Sequence, residues 1–392
     1  MLVFGDYIRD IYIYGTVDRI SPESPIPVFV EDYQEARPGG VGNVIANLQA
    51  LGTTPVSFYD LNSVKKRFVC DNHILFRSDI ESNTTKLSNI LEYDIHLKNS
   101  IEKHTYAIIS DYNKGFIDQP LELIDLLKRY NIKVVVDPKK PIENYKGADI
   151  VKLNLKELNT FCTLPEYDSI VDILTKNNIG ALVVTMGAEG AVIHTVDKTI
   201  EIKAERHQVS DVTGAGDIFI AVLTHFLSKG NNLEQACKKA VKLSSISVTK
   251  FGTYTLQQED IKKAYTVFTN GCFDILHKGH IEYLKQSKQL GDKLIVGLNS
   301  DQSVKMLKGE DRPINNQQDR KAVLEALDCV DEVIIFDEET PYNLIKSLQP
   351  DIITKGGDYI VDTVIGNDLA EVIIIPYIEG YSTSKVLRKL NG

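Results

Sequence analysis

With 392 residues the chain has room for two or three domains of about 150 residues each. Its 43% hydrophobic and 25% charged residues are those of a soluble globular protein. A formal net charge of −10 without any Lys/Arg block argues against a nucleic-acid or anionic-membrane partner, and leaves room only for a local basic pocket.

Cys70, Cys162, Cys237, Cys272 and Cys329 are dispersed and form no CxxC pair. That usage predicts reduced thiols in the cytoplasm. No basic region is followed by an apolar run, and no apolar stretch approaches the ~18 residues of a bilayer span. Neither a signal peptide nor a membrane partner is expected.

In chain order, Leu2–Asp6 reads as a strand ending in a turn. Asp6 then stands where open α/β sheets bind ligands, and Asp10 follows it. Ile11, Ile13, Ile26, Val28 and Val30 alternate with polar or aromatic residues and are interrupted by Pro22, Pro25 and Pro27. This is edge-like β structure, a small sheet over the main domain. Pro38–Asn43 opens a helix over Val44–Leu51 that Gly52 closes. Gly39 and Gly40 let a ligand approach the backbone. Asn43 either caps the helix or reaches a ligand hydroxyl. The third glycine of a dinucleotide fingerprint would fall on Ile45, which excludes that motif.

After a short strand at Ile74–Asp79, apolar strands at Ala107–Asp111, Val134–Lys139, Ile150–Asn154 and Leu182–Gly187 alternate with helices at Leu121–Tyr130 and from Glu157. Near-continuous apolar runs of this kind predict a parallel sheet covered on both faces. The small residues of Asp211–Asp217 precede a helix over Ile218–Leu227. Free N–H groups there make an anion hole. Asp217 at its edge is either a dipole-stabilised acid or a base for an attacking hydroxyl. A helix over Leu233–Thr249 and a short polar piece to about Lys263 complete this half.

The second half opens with a strand through Tyr265, Val267 and Phe268, then the turn Asn270-Gly271-Cys272-Phe273-Asp274. His277 and His280, split by Gly279, stand at the start of the next helix. The context is an anion site in which two imidazoles donate to a phosphate. A metal pair or two turn histidines fit the same spacing. Lys305, Lys308, Arg312 and Arg320 form a basic cluster or a solvated face. Strands follow at Lys293–Leu298, Val333–Phe336, Asp351–Thr354 and Val372–Ile375, with a glycine turn at Lys355–Asp358. Gly380–Lys385 opens a last helix, with Ser382, Thr383 and Ser384 as one more phosphate grip.

Through Gly5-Asp6, Gly39-Gly40 with Asn43, the pair Asn154/Glu157 and Asp211–Asp217, residues 1–260 resemble the ribokinase-like (PfkB) sugar kinases. Through the HxGH signature and Ser382–Ser384, residues 266–392 resemble the cytidylyltransferase-like nucleotidyltransferases. The two in this order are similar to the bifunctional heptose-7-phosphate kinase/heptose-1-phosphate adenylyltransferase family. Asp18–Pro25, Asn299-Ser300-Asp301, Leu307-Lys308-Gly309 with Arg312-Pro313, and Lys355–Tyr359 match it further.

The resemblance implies an α/β protein of two domains, a ribokinase-like α/β/α sandwich with a small β lid and then a Rossmann-like nucleotidyltransferase domain. It implies Asp217 as catalytic base, with the Gly214, Ala215 and Gly216 backbone on the transferring phosphoryl group. Asp6, Asp10, Arg19, Gly39, Gly40 and Asn43 would hold a sugar phosphate, and Asn154 and Glu157 would organise Mg²⁺ and the phosphates of ATP. His277 and His280 would stabilise adenylyl transfer, with Asn270, Gly271, Phe273, Asp274, Lys308, Ser382, Thr383 and Ser384 around the nucleotide. Mg²⁺ would be held mainly by phosphates, and no protein ligand is assigned to it. A homodimer would form through the lid.

The chain departs from the family by a shortening around residues 53–65, by Leu153 in place of a proline and by Ser384 in place of a threonine. The first departure raises an alternative, in which only the second domain is active, on ATP or CTP, and the first is a scaffold.

Overall fold

A computed structural model of the chain describes residues 1–81, 85–88, 101, 103–161, 169–205, 210–357 and 359–376. Contacts divide the chain into two compact units, Met1–Gln258 and Glu259–Gly392.

In the first unit the described strands form one sheet. They are β1 (Leu2–Ile20), β2 (Pro27–Gly40), β3 (Val56–Cys70), β4 (His73–Glu81), β5 (Tyr106–Ser110), β6 (Lys133–Asp137), β7 (Ile150–Asn154), β8 (Ala181–Thr185), β9 (Ala191–His194) and β10 (Thr199–Ile202). Their order is β10-β9-β8-β7-β6-β5-β1-β3-β4, with β2 also on β1. The run from β3 through β1 to β8 is parallel.

Each core strand buries both faces. Leu2, Phe4, Ala107, Ile109, Val134, Val136, Val151 and Leu153 point into one apolar cluster. The intervening Val3, Ile108 and Val135 are equally buried. This is why the strands read as unbroken apolar runs rather than as alternations. The first cluster also takes in Leu123, Ile124 and Leu127 of helix α2 (Pro120–Arg129) and Ile173 and Leu174 of α4 (Ile170–Lys176). Helices α1 (Val41–Ala50), α5 (Ala215–Ser228) and α6 (Leu233–Ser247) pack together, with α1 against β1 and α5 against β5 and β6. The short α3 (Leu155–Phe161) follows β7.

The first strand corrects the turn expected after Asp6. It continues to Ile20, because β2 takes over from β5 at Tyr7 while β3 stays paired on the other side. Its backbone groups therefore remain satisfied beyond the helices. Strands β1–β4 thus run on as the expected small sheet. Only Leu51–Pro55 separate α1 from β3, and the sheet has no break where the chain is short.

The second unit carries a parallel five-stranded sheet, β13-β12-β11-β14-β15. The strands are β11 (Thr266–Gly271), β12 (Lys293–Asn299), β13 (Glu332–Phe336), β14 (Ile352–Gly356) and β15 (Glu371–Ile375). Its helices are α8 (Lys278–Lys288), α9 (Asp301–Lys308), α10 (Gln317–Glu325) and α11 (Tyr342–Leu348), the short α7 (Gln258–Lys262) lying at the join of the units. Chain order reverses between β11 and β14, the point at which open α/β sheets bind ligands beyond the C-terminal strand ends. The expected last helix, with Ser382, Thr383 and Ser384, lies outside the described residues, as does Asp358.

Candidate active sites

In the first unit the site gathers at the N-terminus of α5. Gly214 caps that helix at φ 79° and supplies no side chain to its first-turn N–H groups. A Cβ there would also fall 2.7 Å from Asn43 Nδ2, so only glycine fits. Asp217 stands in the first turn and is 2% exposed. Burial pushes its pKa up to about 6. A hydrogen bond from Tyr112 opposes burial most strongly, Asp137 adds to the rise, and Asn43 and Lys152 oppose it.

Both Asp217 oxygens are held. Tyr112 Oη donates to Oδ1 at 2.6 Å, and Asn43 Nδ2 donates to Oδ2 at 3.2 Å. Asn43 is not the N-cap of α1, which is Gly40; it lies inside the helix and faces Asp217. Behind it Asn47 Nδ2 donates to Asn43 Oδ1 at 2.9 Å and Leu256 N–H donates to Asn47 at 2.9 Å. A relay of buried amides thus orients the carboxylate.

Asp6 and Asp10 are buried near this network, each engaged by protein donors. The N–H groups of Tyr112, Lys114 and Phe116 donate to Asp6 at 2.8, 3.2 and 3.1 Å. Burial, the largest influence, raises the Asp6 pKa despite them. Arg67 Nη1 donates to Asp10 at 2.6 Å. A Cβ on Gly39 would collide with Asp10 Oδ2, which explains that glycine by close approach. Arg19 is exposed, opposite Val28 near the end of the β1–β2 arm. About 30 Å of strand separates it from Asp10, and the structure does not bring it to Asp217.

Asn154 and Glu157 answer each other as a reciprocal cap at the start of α3. Glu157 N–H donates to Asn154 Oδ1 at 2.8 Å and Asn154 N–H to Glu157 Oε2 at 2.9 Å. Lys139 pairs with the other Glu157 oxygen. Leu153, the proline replacement, is fully buried and leaves this cap intact. Lys152 and Asp137, both buried, pair at 3.1 Å beside Gly216. A cavity of about 350 Å³ opens here, lined among others by Lys152, Asn154, Gly187, Gly216, Phe219 and Val241. Mostly apolar, with Lys152, Glu205 and Asn154 among its polar lining, it has the make-up of a small-molecule pocket.

In the second unit the site forms at the β11/β14 reversal. Thr269, Tyr283, Thr354 and Ser287 form a buried hydroxyl chain at 2.6, 3.2 and 2.9 Å that fastens α8 to both strands. His277 is the N-cap residue of α8, and its ring stacks on His280 at 3.8 Å and 16°. Phe273, at φ 43°, closes the edge of His280 at 5.4 Å. Burial first, then His277 and Lys308, push the His280 pKa down to about 4; burial also lowers that of His277. Both imidazoles are therefore neutral near pH 7, the state in which a ring N–H donates and the other nitrogen accepts.

The expected basic cluster divides by burial. Arg320 is 2% exposed and donates to the carbonyls of Cys272, Asn299 and Asn315 and to Asp301, at 2.6–3.0 Å. Arg312 clamps Asp274, as do the N–H groups of Ile314 and Asn315. Burial raises the Asp274 pKa, but these donors outweigh it and leave the carboxyl below its ordinary value. Lys305 and Lys308 alone are exposed, on α9. Arginine beats lysine inside because its fork can satisfy several carbonyls at once.

Sequence reasoning assigns no role to several residues at these sites, Asn47, Asp137 and Lys152 among them. Another is Tyr112, directly after Asp111, the acid that follows β5. A further one is Lys355, whose Nζ donates to Asn270 Oδ1 at 2.6 Å between β14 and β11. Burial lowers the Lys355 pKa to about 8. Its position at a strand end before two glycines was the available signal.

Residues 112–260 match the pfkB family carbohydrate kinase profile, and residues 268–385 the cytidylyltransferase-like profile. The chain is 36% identical over 474 aligned residues to the bifunctional protein HldE of a Nitratiruptor species, covering 100% of this chain and 99% of that protein. It is 35% identical over 465 residues to the bifunctional protein HldE of Aliarcobacter butzleri, covering 100% and 97%. Both alignments exceed the 392 residues of this chain, which is the shorter protein. Among solved structures, phosphofructokinase-2 from Escherichia coli matches at a TM-score of 0.53 and 15% identity, over 66% of this chain and 96% of that one. A ribokinase from Thermotoga maritima matches at 0.52 and 17%, over 66% and 97%. At such identities these two show the fold alone.

Proposed function

The chain belongs to the bifunctional HldE family, a kinase joined to a nucleotidyltransferase, and from that premise we propose which substrates and residues serve each step. The first unit phosphorylates the anomeric hydroxyl of D-glycero-D-manno-heptose 7-phosphate with ATP. The second transfers the adenylyl group of ATP to heptose 1-phosphate and yields ADP-heptose, a precursor of lipopolysaccharide core. Removal of the 7-phosphate between the steps falls to a separate phosphatase.

The observation that carries the kinase reading is Asp217. It is buried, has a raised pKa and stands at a helix N-terminus beside a pocket lined by Gly216 and Lys152. Asp217 accepts the proton of the sugar hydroxyl as the oxygen attacks the γ-phosphorus. The N–H groups of Gly214–Gly216 and the Lys152 ammonium face the transferred charge. Asp6, Asp10, Asn43 and the Gly39-Gly40 backbone form the sugar side; Arg19 is left out of this step.

Among the described residues no group of three or more His, Cys, Asp or Glu side chains can hold a metal ion. Asp137 Oδ1, however, is buried without a hydrogen bond, and Lys139 Nζ lies 3.6 Å away. That corner suits Mg²⁺ arriving on ATP phosphates with one carboxylate beside it. Bound there, Mg²⁺ would neutralise phosphate charge. Asp137 would stand beside it, and the Asn154/Glu157 pair would organise the phosphates that carry it.

In the second unit the sugar 1-phosphate attacks the α-phosphorus and pyrophosphate leaves. His277 and His280 donate to the phosphates, and Lys355 and Lys308 supply positive charge. Asn270, Gly271, Phe273 and Asp274 shape the loop around them, and Ser382–Ser384 complete the grip. No covalent enzyme intermediate is involved.

The crossed pair Asp217→Asn and His277→Ala tests both halves. Asp217→Asn abolishes sugar-dependent ATP cleavage and leaves pyrophosphate release untouched; His277→Ala does the reverse, by about 10²–10³-fold. If wild type fails to cleave ATP with the sugar 7-phosphate, the first unit is a scaffold. Parallel turnover of ATP and CTP reads the nucleobase preference.

We also infer a homodimer through the lid. Its strands leave Ile74, Phe76 and Ile80 43–51% exposed and Tyr33 60% exposed, apolar surface that pairing would cover. A monomeric mass by light scattering would count against it.

A further inference from the structure

We propose that Tyr112 is a positioning residue for phosphoryl transfer, whose hydroxyl holds Asp217 ionised and oriented so that its carboxylate can take the sugar's proton. The proposal rests on the reading of Asp217 as the base.

The hydroxyl is placed by construction. Two buried carboxylates strap the segment that carries it. Asp6 accepts the N–H groups of Tyr112, Lys114 and Phe116. Asp111 accepts the Tyr145 hydroxyl at 2.7 Å and Asn113 N–H at 2.7 Å, and pairs with Lys140 at 2.9 Å. Asn113, next in the chain, takes a left-handed φ of 55°, which a tight local turn requires. The tyrosine backbone is thereby fixed, and only the ring remains to be placed. The ammonium groups of Lys65 and Lys139 lie 5.6 and 5.5 Å from the ring centroid. Cations beside the ring polarise the phenol and favour donation from its O–H. Burial, with Asp217 and Asp137, raises the Tyr112 pKa well above its ordinary value, so the phenol stays a neutral donor throughout the working pH range.

The recipient needs this donor. Asp217 is packed between α1, β5 and the ends of β6 and β7. The groups that face it are Tyr112, Asn43, Asp137, Lys152 and, through its charge, Lys139. Burial and Asp137 favour the neutral acid, which is useless as a base. Against them stand Tyr112, the strongest opposing group, then Asn43 and Lys152. The two hydrogen bonds are also unequal. Tyr112 holds Oδ1 at 2.6 Å, whereas Asn43 reaches Oδ2 at 3.2 Å. Oδ1 is thus firmly occupied, and Oδ2, only loosely held, is the oxygen left to receive the sugar's proton.

Tyr112→Phe keeps the ring and its neighbours and deletes only the O–H. In the full chain the acid limb of kinase kcat/KM moves up by about one pH unit, the scale of one hydrogen bond to a charged group. Activity is depressed several-fold near neutrality and recovers at alkaline pH. Incorporating a fluorinated tyrosine at 112, a stronger donor, moves the limb the opposite way. Binding of a fluorescent ATP analogue is retained and shows that the kinase unit is folded, and pyrophosphate release by the second unit is unchanged. An acid limb that stays in place in Tyr112→Phe, or a loss that is equal at every pH, overturns the proposal. If Asp217→Asn itself keeps kinase activity, the reading of Asp217 fails instead, whatever Tyr112→Phe does.

Discussion

Lys355 offers a test in which stability and activity move in opposite directions. Its ammonium sits between β14 and β11 with an amide oxygen as its hydrogen-bond acceptor, and burial takes its pKa from 10.5 to about 8. At ~1.4 kcal/mol per pH unit, holding that charge near neutrality costs on the order of 3 kcal/mol, less what partial exposure returns. The penalty is complete below about pH 8 and relieved as pH rises towards the unfolded-state value of 10.5. A cation held at such a cost is poised to be repaid by a phosphate. Lys355→Met should therefore raise the melting temperature of the second unit near pH 7 and remove its stabilisation at alkaline pH. The same variant should lower kcat/KM for pyrophosphate release by about 10²–10³-fold. Lys355→Arg, which cannot lose its proton, should keep partial activity and lose the basic limb near pH 8. Thermal melts across pH 6–10 and a coupled pyrophosphate assay read both effects. If Lys355→Met releases pyrophosphate within threefold of wild type, or Lys355→Arg retains a limb near pH 8, the charge at 355 has no part in transfer.

Kinase kcat/KM should fall as pH drops through about 6, because Asp217 must be ionised to act as a base; a rate flat down to pH 5 would place the base elsewhere. Adenylyl transfer should show no limb from His280 between pH 5 and 7, since that imidazole is neutral throughout; a limb there that His280→Gln removes would contradict the stacked-pair geometry. Arg320→Met should destabilise the second unit by about 2–3 kcal/mol in urea unfolding, because it strands the buried Asn299 carbonyl, the part-buried carbonyls of Cys272 and Asn315, and the Asp301 carboxylate. A loss below about 1 kcal/mol would mean that water replaces the guanidinium.

Much of this protein was legible in local chemistry. Runs such as Val134–Val136 read as doubly buried parallel strands, and they are. The small residues before Asp217 and the histidines at the start of α8 read as helix N-termini suited to anions, with a metal pair or turn histidines as the rival for the latter. Such signals survive in one dimension because they depend on a few adjacent residues: the period of the side chains, the turn glycine, the cap. Even the shortening at 53–65 could be seen, although not that β3 would still close onto β1.

What the tertiary structure alone decided are the pairings that cross the sheets. Tyr112 meets Asp217 only because α5 packs over β5 and β6, and Lys355 meets Asn270 only because β14 lies beside β11, arrangements that chain order does not follow. Burial then sorted residues that composition treats alike. Of four cations in one basic stretch, Arg312 and Arg320 became internal clamps while Lys305 and Lys308 stayed in solvent. Asn43, which reads equally well as a cap or a ligand, turned out to be a donor to the buried carboxylate. Sequence specifies which groups can do chemistry. Their pKa values and partners follow from how far folding withdraws each one from water and what it sets in the vacated place.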